Sequence, residues 1–533
     1  MSAIIPIHIN SNLLPYQGAW TMRQVQHLLR RTMFGAKKSD VDFFSKMTLQ
    51  QSVDALLNIP VAPPAPPVND YNDDKFKDPN VVYGQTWVTA PQPEGQVGSG
   101  RTTSFKHWWM VLLVHQERNI QEKMTLFWHN HLATRQYDVF RPRMSYIHNA
   151  LLRKNALGNF KNLVRAVSVD PLMLRYLNGS SSHKDHPDEN YARELQELFC
   201  LGKTDFTEGD VKAAARILTG WRVDDATMAV TFDENEHDFS DKQFSNFYNN
   251  TVIKGENGKE GGQKELDALL NMIFLKDETA LALCRKMYRF FVYPEIDAAT
   301  EATVIQSLAD ILKKNNFEVK PVLKALFTSQ HFFNADIQGA MIKSPADFVI
   351  GLLREAEIQV PTGIGRDKYE VRADIFYNMC AMLQDLGDPP NVAGWPAYFA
   401  PPQYDRFWIT NVTALKRAEF TDAMLFWGIN SQNKLVTVNA DLIKLTKTMP
   451  KPEDVNALIR DATAHFLSVE ATPDLVQNLK NILLSGKLSE FYWTAAWDDY
   501  LKKPDDPEKI ETVKNRLQAF YQGIMQAEEF QLF

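Results

Sequence analysis

Apolar residues recur at helical spacing through most of the chain. In TMRQVQHLLRRTMFG, residues 21–35, Met22, Val25, Leu28 and Leu29 share one face of a 3.6-residue repeat, and Gly35 stands where such a helix would stop. Ser39 and Thr48 are placed to cap two further short helices ending at Ile59-Pro60. PVAPPAPPVNDYNDDKFKDPN, residues 60–80, is rich in proline and then in charge, so it cannot join a helix and reads as a linker or an arm over the surface. The densest helical block is residues 104–221, where SFKHWWMVLLVHQER, IQEKMTLFWHNHLAT, MSYIHNALLRKNALG and ENYARELQELFCLG each carry an apolar stripe. TGWRV and MAVTF, separated by Asp224-Asp225-Ala226-Thr227, predict a small hairpin over 219–232. After the Gly-rich KGENGKEGG, residues 254–262, which reads as a flexible loop, helical spacing resumes to about residue 425, and 426–533 reads as a helical appendage. No fixed period repeats, so a solenoid is disfavoured.

The pattern predicts an all-α fold, a large multi-helix bundle with one small β-hairpin and a Pro-rich N-terminal arm. It divides the chain into an N-terminal helical segment (1–59), the arm (60–103), a helical core (104–425) and the C-terminal appendage (426–533).

Composition narrows the function classes. With 44% hydrophobic and 23% charged residues the chain has the balance of a folded globular protein. A formal charge of −7 offers no basic field for a phosphate backbone, which disfavours nucleic acid as a partner. The 3 cysteines, Cys200, Cys284 and Cys380, are far apart and form no C-x-x-C pair, which argues against a disulfide framework or a zinc knuckle. No segment reaches the roughly 18 apolar residues of a membrane span, and MSAIIPIHINSNLLPYQ lacks the basic and then apolar regions of a signal peptide.

Three polar constellations carry the candidate chemistry. On a helix, His131 shares a face with Ile120, Met124, Phe127 and Trp128, whereas His129 falls nearly opposite. Both imidazoles could reach one metal only where the helix ends near Asn130, and a carboxylate such as Glu194 would have to complete the ligand set of one divalent ion. The plainer alternative, which the helical phase favours, makes His131 a hydrogen-bonded core histidine. In the second constellation Asn190, Glu194 and Glu197 stand at i, i+4 and i+7 beside Tyr191, Leu195, Leu198 and Phe199. Carboxylates there could act as general bases, with Arg193 holding an anionic group or simply pairing with Glu197. The third is His237-Asp238 in DENEHDFSDKQF, after the hairpin. Asp233-x-Asn235-x-His237 opens like a calcium loop, but position six is not glycine and Phe244 stands where the bidentate Glu belongs. No G-x-S-x-G, Walker loop, G-x-G-x-x-G or H-E-x-x-H occurs.

The same stretches resemble the bacterial DUF1800 family, a domain of unknown function. The resemblance runs from HLLRRTMFGAKKSDVD through EKMTLFWHNHLAT, NALGNFKNLVRAVSVDPLMLRYLN, ENYARELQELFCLG, FTEGDVKAAARILTGW, HDFSDKQF, LKALFTSQHFF and IKSPADFVIG to DPPNVAGWP, covering roughly residues 23–425. It implies a bacterial protein of a family often exported to the periplasm or envelope, frequently encoded beside phosphatase- or sulfatase-like partners. This chain shows no signal peptide, so its localisation is left open. The family's characteristic polar residues fall on His129, His131, Arg193, Glu194, Glu197, His237 and Asp238, which the resemblance makes candidate site residues.

The leading expectation is an enzyme with hydrolytic or transfer chemistry on a polar or sugar-like substrate, with the His/Glu/Asp cluster as acid/base groups or as ligands of one divalent metal. The alternative is a non-catalytic cell-envelope protein that binds a glycan or protein through the aromatic loop PPNVAGWPAYFAPPQY, residues 389–404.

Overall fold

A computed structural model describes residues 12–93 and 95–533. The fold is predominantly helical, as the apolar spacing predicts. Met22–Thr32 opens it and ends short of Gly35, whose φ of 77° lets the chain turn against the next layer. A side chain there would meet the Gly351 backbone at 2.9 Å, so the close approach of two segments demands glycine. Thr48 forms the capping box expected of it, whereas Ser39 lies inside Lys38–Phe44 and caps nothing.

The proline-rich stretch does lie along the surface, tied down by polar anchors. Asp70 pairs with Arg372 at 2.7 Å, Asp78 pairs with Arg101 at 2.8 Å, and Trp108 Nε1 donates to the Ala65 carbonyl at 2.7 Å. It ends earlier than the composition suggests, because the helix that follows is Gly95–Val114.

Gln121–His131 runs through the middle of the molecule. Its residues from Glu122 to His131 are all buried, so it has no solvent face. Around it pack Gly95–Val114, Pro142–Lys154 and Asp277–Phe291. Glu189–Glu194 continues into Leu195–Leu201, where the helix widens to π spacing.

Among the described residues the strands form three two-stranded antiparallel hairpins rather than one. The expected one pairs Trp221–Val223 with Val230–Phe232 in the register Trp221 opposite Phe232. KGENGKEGG is only partly a loop, since Gly261 starts the helix Gly261–Phe274 and Gly255 lies hard against the Phe239 carbonyl. A large hydrophobic cluster extends from Val25 through Phe530, and a small satellite under the hairpin contains Met144, Leu172, Trp221 and Met228. The 426–533 helices join the large cluster, with Phe530 packed edge-on to Phe348 at 5.8 Å.

Candidate functional site

The C-terminal end of Gln121–His131 meets two of the other quoted motifs, ENYARELQELFCLG and DPPNVAGWP, and its last residues face different neighbours. The His129 ring stands edge-on to Trp109 at 5.1 Å, with Trp395 at 5.9 Å and His148 at 6.5 Å between centroids. Burial, reinforced by His148 and Lys106, pushes its pKa down to about 3. Asn130 Oδ1 accepts the Trp395 backbone N–H at 2.8 Å. That grip requires Gly394, at φ 92°, because a Cβ there would fall 2.3 Å from Asn130 Oδ1. His131 points the other way, its Nδ1 accepting from Lys286 Nζ at 3.0 Å. Lys286 also donates to the Leu198 carbonyl in the π segment at 2.6 Å. Burial lowers Lys286 to about 8 and, with the Lys286 charge, holds His131 well below its ordinary value.

The first two constellations therefore meet, through Lys286 and the backbone of the helix that carries Glu194 and Glu197. Those two carboxylates are half-buried on its outer side. Burial raises Glu194, Glu197 raises it further, and Arg193 opposes both. Arg193 itself is held by Glu208 at 2.6 Å and Glu189 at 3.3 Å.

The third constellation has a separate set of partners. His237 is fully buried, with Nδ1 2.9 Å from the Thr219 carbonyl and Nε2 3.1 Å from Glu265 Oε1. Glu265 also pairs with Lys242 at 2.5 Å. Asp238 pairs with Arg216 at 2.6 Å, and although burial opposes its charge, Arg216 and Ser240 hold it well below the carboxylate range. Among the described residues no hydrogen bond or ion pair links His237 or Asp238 to His129, His131, Arg193, Glu194 or Glu197.

The expectation of one divalent metal on His129, His131 and Glu194 is corrected. Among the described residues no group of three or more His, Cys, Asp or Glu side chains is placed to hold a metal ion. The helical phase sends the two imidazoles to opposite sides, and an ammonium already occupies the Nδ1 of His131. Trp395 is also corrected from docking anchor to core, since only 2% of it is exposed.

Sequence reasoning missed a second buried network beside His129. His148 Nδ1 is 3.0 Å from Asp170 Oδ2, which also caps the next helix by accepting from Met173 N–H at 3.0 Å. Lys106 bridges Asp385 and Asp388 at 2.6 Å each, and Asp388 Oδ1 accepts the Tyr137 N–H at 2.7 Å. Burial pulls the Lys106 ammonium down, but the two aspartates outweigh it and hold it above its ordinary value.

Lys106 is also the floor of a cleft of about 470 Å³ between Gly95–Val114, Gln136–Val139 and Arg366–Ala381. Ser99, Thr102, Thr103, Lys106 and His107 line one side at i, i+3, i+4, i+7 and i+8. This polar stripe was visible in the sequence as a helical repeat of the opposite sign to the one sought. Phe140 and Phe376 supply apolar wall, and Tyr137 and Tyr377 stand at the mouth, 72% and 69% exposed. His107 is buried and burial lowers it to about 3, with Arg372 and Lys106 adding to the effect. Its Nδ1, and Thr102 Oγ1, have no hydrogen-bond partner among the described residues.

No helix of the described residues is long and apolar enough to cross a membrane. A family model described as "Protein of unknown function (DUF1800)" matches residues 27–532, which takes in the C-terminal helices as well as the core. No curated protein and no solved structure matches the chain.

Proposed function

The chain belongs to the DUF1800 family, and on that footing we propose that it is a non-catalytic binding protein of the bacterial envelope whose ligand is a glycan. The observation that carries this reading is the cleft with two exposed tyrosines at its mouth and the polar stripe from Ser99 to His107 along one side. Aromatic rings left in solvent beside a concavity offer apolar faces on which the C–H faces of sugar rings stack. Ser99 and Thr103 bring hydroxyl groups to the cleft, groups that donate to and accept from sugar hydroxyls. The envelope setting rests on the family resemblance.

Glycan-array binding followed by titration of the best binder tests the reading. Tyr137→Ala and Tyr377→Ala should each weaken binding about tenfold or more with an unchanged melting temperature, as expected for exposed anchors. Tyr492→Ala, an exposed tyrosine outside the cleft, should leave binding unchanged. Equal affinity in all three variants would remove the cleft from the function.

A second reading, hydrolytic or transfer chemistry, is favoured by one observation. The His148 Nδ1 is held by Asp170, which orients the imidazole as a base is oriented, and its Nε2, sealed from solvent, has no hydrogen-bond partner among the described residues. Turnover of any glycan that the array identifies, abolished by His148→Gln with binding retained, would put this reading first.

A further inference from the structure

We propose that Lys242 and Glu265 become joined by an intramolecular isopeptide bond, formed when the Lys242 ammonium condenses with the Glu265 carboxylate inside the folded chain.

Both side chains are fully buried, and Lys242 Nζ lies 2.5 Å from Glu265 Oε2. That contact and the length of a C–O bond keep Nζ within about 3.8 Å of the Glu265 Cδ, close to the separation from which a bond can form. Nζ also donates to the Asp238 carbonyl at 2.5 Å, which holds the amine against the carboxylate. The other carboxylate oxygen, Oε1, sits between two partners, the Glu256 backbone N–H at 2.7 Å and His237 Nε2 at 3.1 Å, the latter contact made by a hydrogen between ring and carboxylate. The ring is fixed from behind, because His237 Nδ1 lies 2.9 Å from the Thr219 carbonyl. Donors at these distances are the arrangement that stabilises an oxyanion. Oε1 is therefore where negative charge is held during attack, and Oε2 is the oxygen that leaves.

The atoms balance within the pair. One ammonium hydrogen passes to Oε2, and the neutral amine attacks Cδ, forming the C–N bond as the carbonyl electron pair moves onto Oε1. A second hydrogen follows to the Oε2 hydroxyl, the C–Oε2 bond breaks, and water departs as the pair on Oε1 restores the carbonyl. The third hydrogen stays as the amide N–H. Glu256 N–H and His237 are positioning groups in this step, and no outside reagent is needed.

The surroundings favour the product. An ion pair in a dry interior costs the hydration of both charges, whereas an amide is neutral and its formation releases water to solvent. Other buried lysine pairs lack a part of this arrangement. In Lys123–Asp347 the second carboxylate oxygen accepts from the Ser344 hydroxyl alone among the described residues. In Lys106–Asp385 the carboxylate is 33% exposed, so water reaches it. A bond at Lys242–Glu265 would tie the strand Lys242–Gln243 to the helix Gly261–Phe274 and close the Gly-rich segment 254–262 into a covalent loop.

The test is the intact mass of the denatured full chain, followed by a tryptic map. The chain should be lighter than its sequence by one water, and the map should contain the Lys242 peptide joined to the Glu265 peptide, with no cleavage after Lys242. Lys242→Arg keeps the positive charge, removes the amine and should restore the full sequence mass. A wild-type chain of full sequence mass, both fresh and after prolonged incubation at neutral pH, would overturn the inference. So would a lost water that maps to another part of the chain or persists in Lys242→Arg. The wild-type map decides by itself, so the outcome stands even where Lys242→Arg fails to fold.

Discussion

His129 and His131 show what helical phase can and cannot say about a residue. The spacing correctly sends the two imidazoles to opposite sides of Gln121–His131, but it carries no information that both sides are buried, because that depends on helices from distant parts of the chain. His131→Ala and His129→Ala are therefore expected to destabilise the fold by similar amounts, about 2 kcal/mol or more each, through cavity formation and lost contacts. Denaturant midpoints of the two variants check this, and a near-neutral His129→Ala would put that ring outside the core. Their low pKa values also set an acid limit. Burial holds His129 near 3 in the folded state, whereas the unfolded chain takes up its proton near 6.5. As pH falls from 6.5 toward 3 the unfolded state binds more protons, so stability is present above 6.5 and is lost in that window. One such imidazole contributes a slope of about 1.4 kcal/mol per pH unit. Comparing the slope of stability against pH for the wild type and His129→Asn isolates this share, and identical slopes would show that His129 titrates normally. The polar cleft stripe from Ser99 to His107 was equally legible in principle, since it has the same periodicity as the apolar stripes.

At the level of elements, most helices could be read because their spacing is a local property. The π segment Leu195–Leu201 could not, since one of its backbone carbonyls, that of Leu198, is taken by Lys286 from another helix. The two additional hairpins, Lys242–Gln243 with Val252–Ile253 and Ile429–Asn430 with Thr437–Val438, are too short for alternation to register. DPPNVAGWP was visible as a motif, but its direction was not. Its tryptophan turns inward because Asn130 holds the Trp395 backbone N–H. Trp395→Ala should accordingly cost about 3 to 5 kcal/mol, as truncation of a buried aromatic does, and a melting temperature close to wild type would return it to the surface. Gly394→Ala should be destabilising for a different reason, a collision with both oxygens of Asn130 together with an unfavourable backbone angle. A thermal melt of that variant unchanged from wild type would show that the loop can lift away from the helix end without penalty.

On the scale of the whole molecule, the boundary drawn at residue 425 follows a change in pattern, while the packing runs across it. Phe530 lies against Phe348, and Arg417 donates to the Lys343 carbonyl at 2.7 Å and to Gln531 Oε1 at 3.1 Å. Near the other end of the chain, Arg30 pairs with Glu355 at 2.9 Å and donates to the Leu467 carbonyl at 3.0 Å. A chain cut after residue 425 should therefore lose cooperative unfolding and aggregate, since Phe348 and its neighbours would meet water. A sharp, reversible melt of the truncated chain would show instead that the 426–533 helices are an independent unit. Such long-range ties are invisible to spacing because they join residues hundreds of positions apart. The grip of Asn130 on the 394–395 backbone has a kinetic consequence for the cleft. The same loop supplies Asp388, which holds both Lys106 on the floor and the Tyr137 backbone at the mouth, so floor and mouth are anchored to a deeply buried helix of the fold. A site built on such anchors is preorganised, and a ligand need not wait for a slow opening step. In stopped-flow mixing the observed association rate should rise linearly with ligand concentration, without the plateau that a rate-limiting rearrangement would impose.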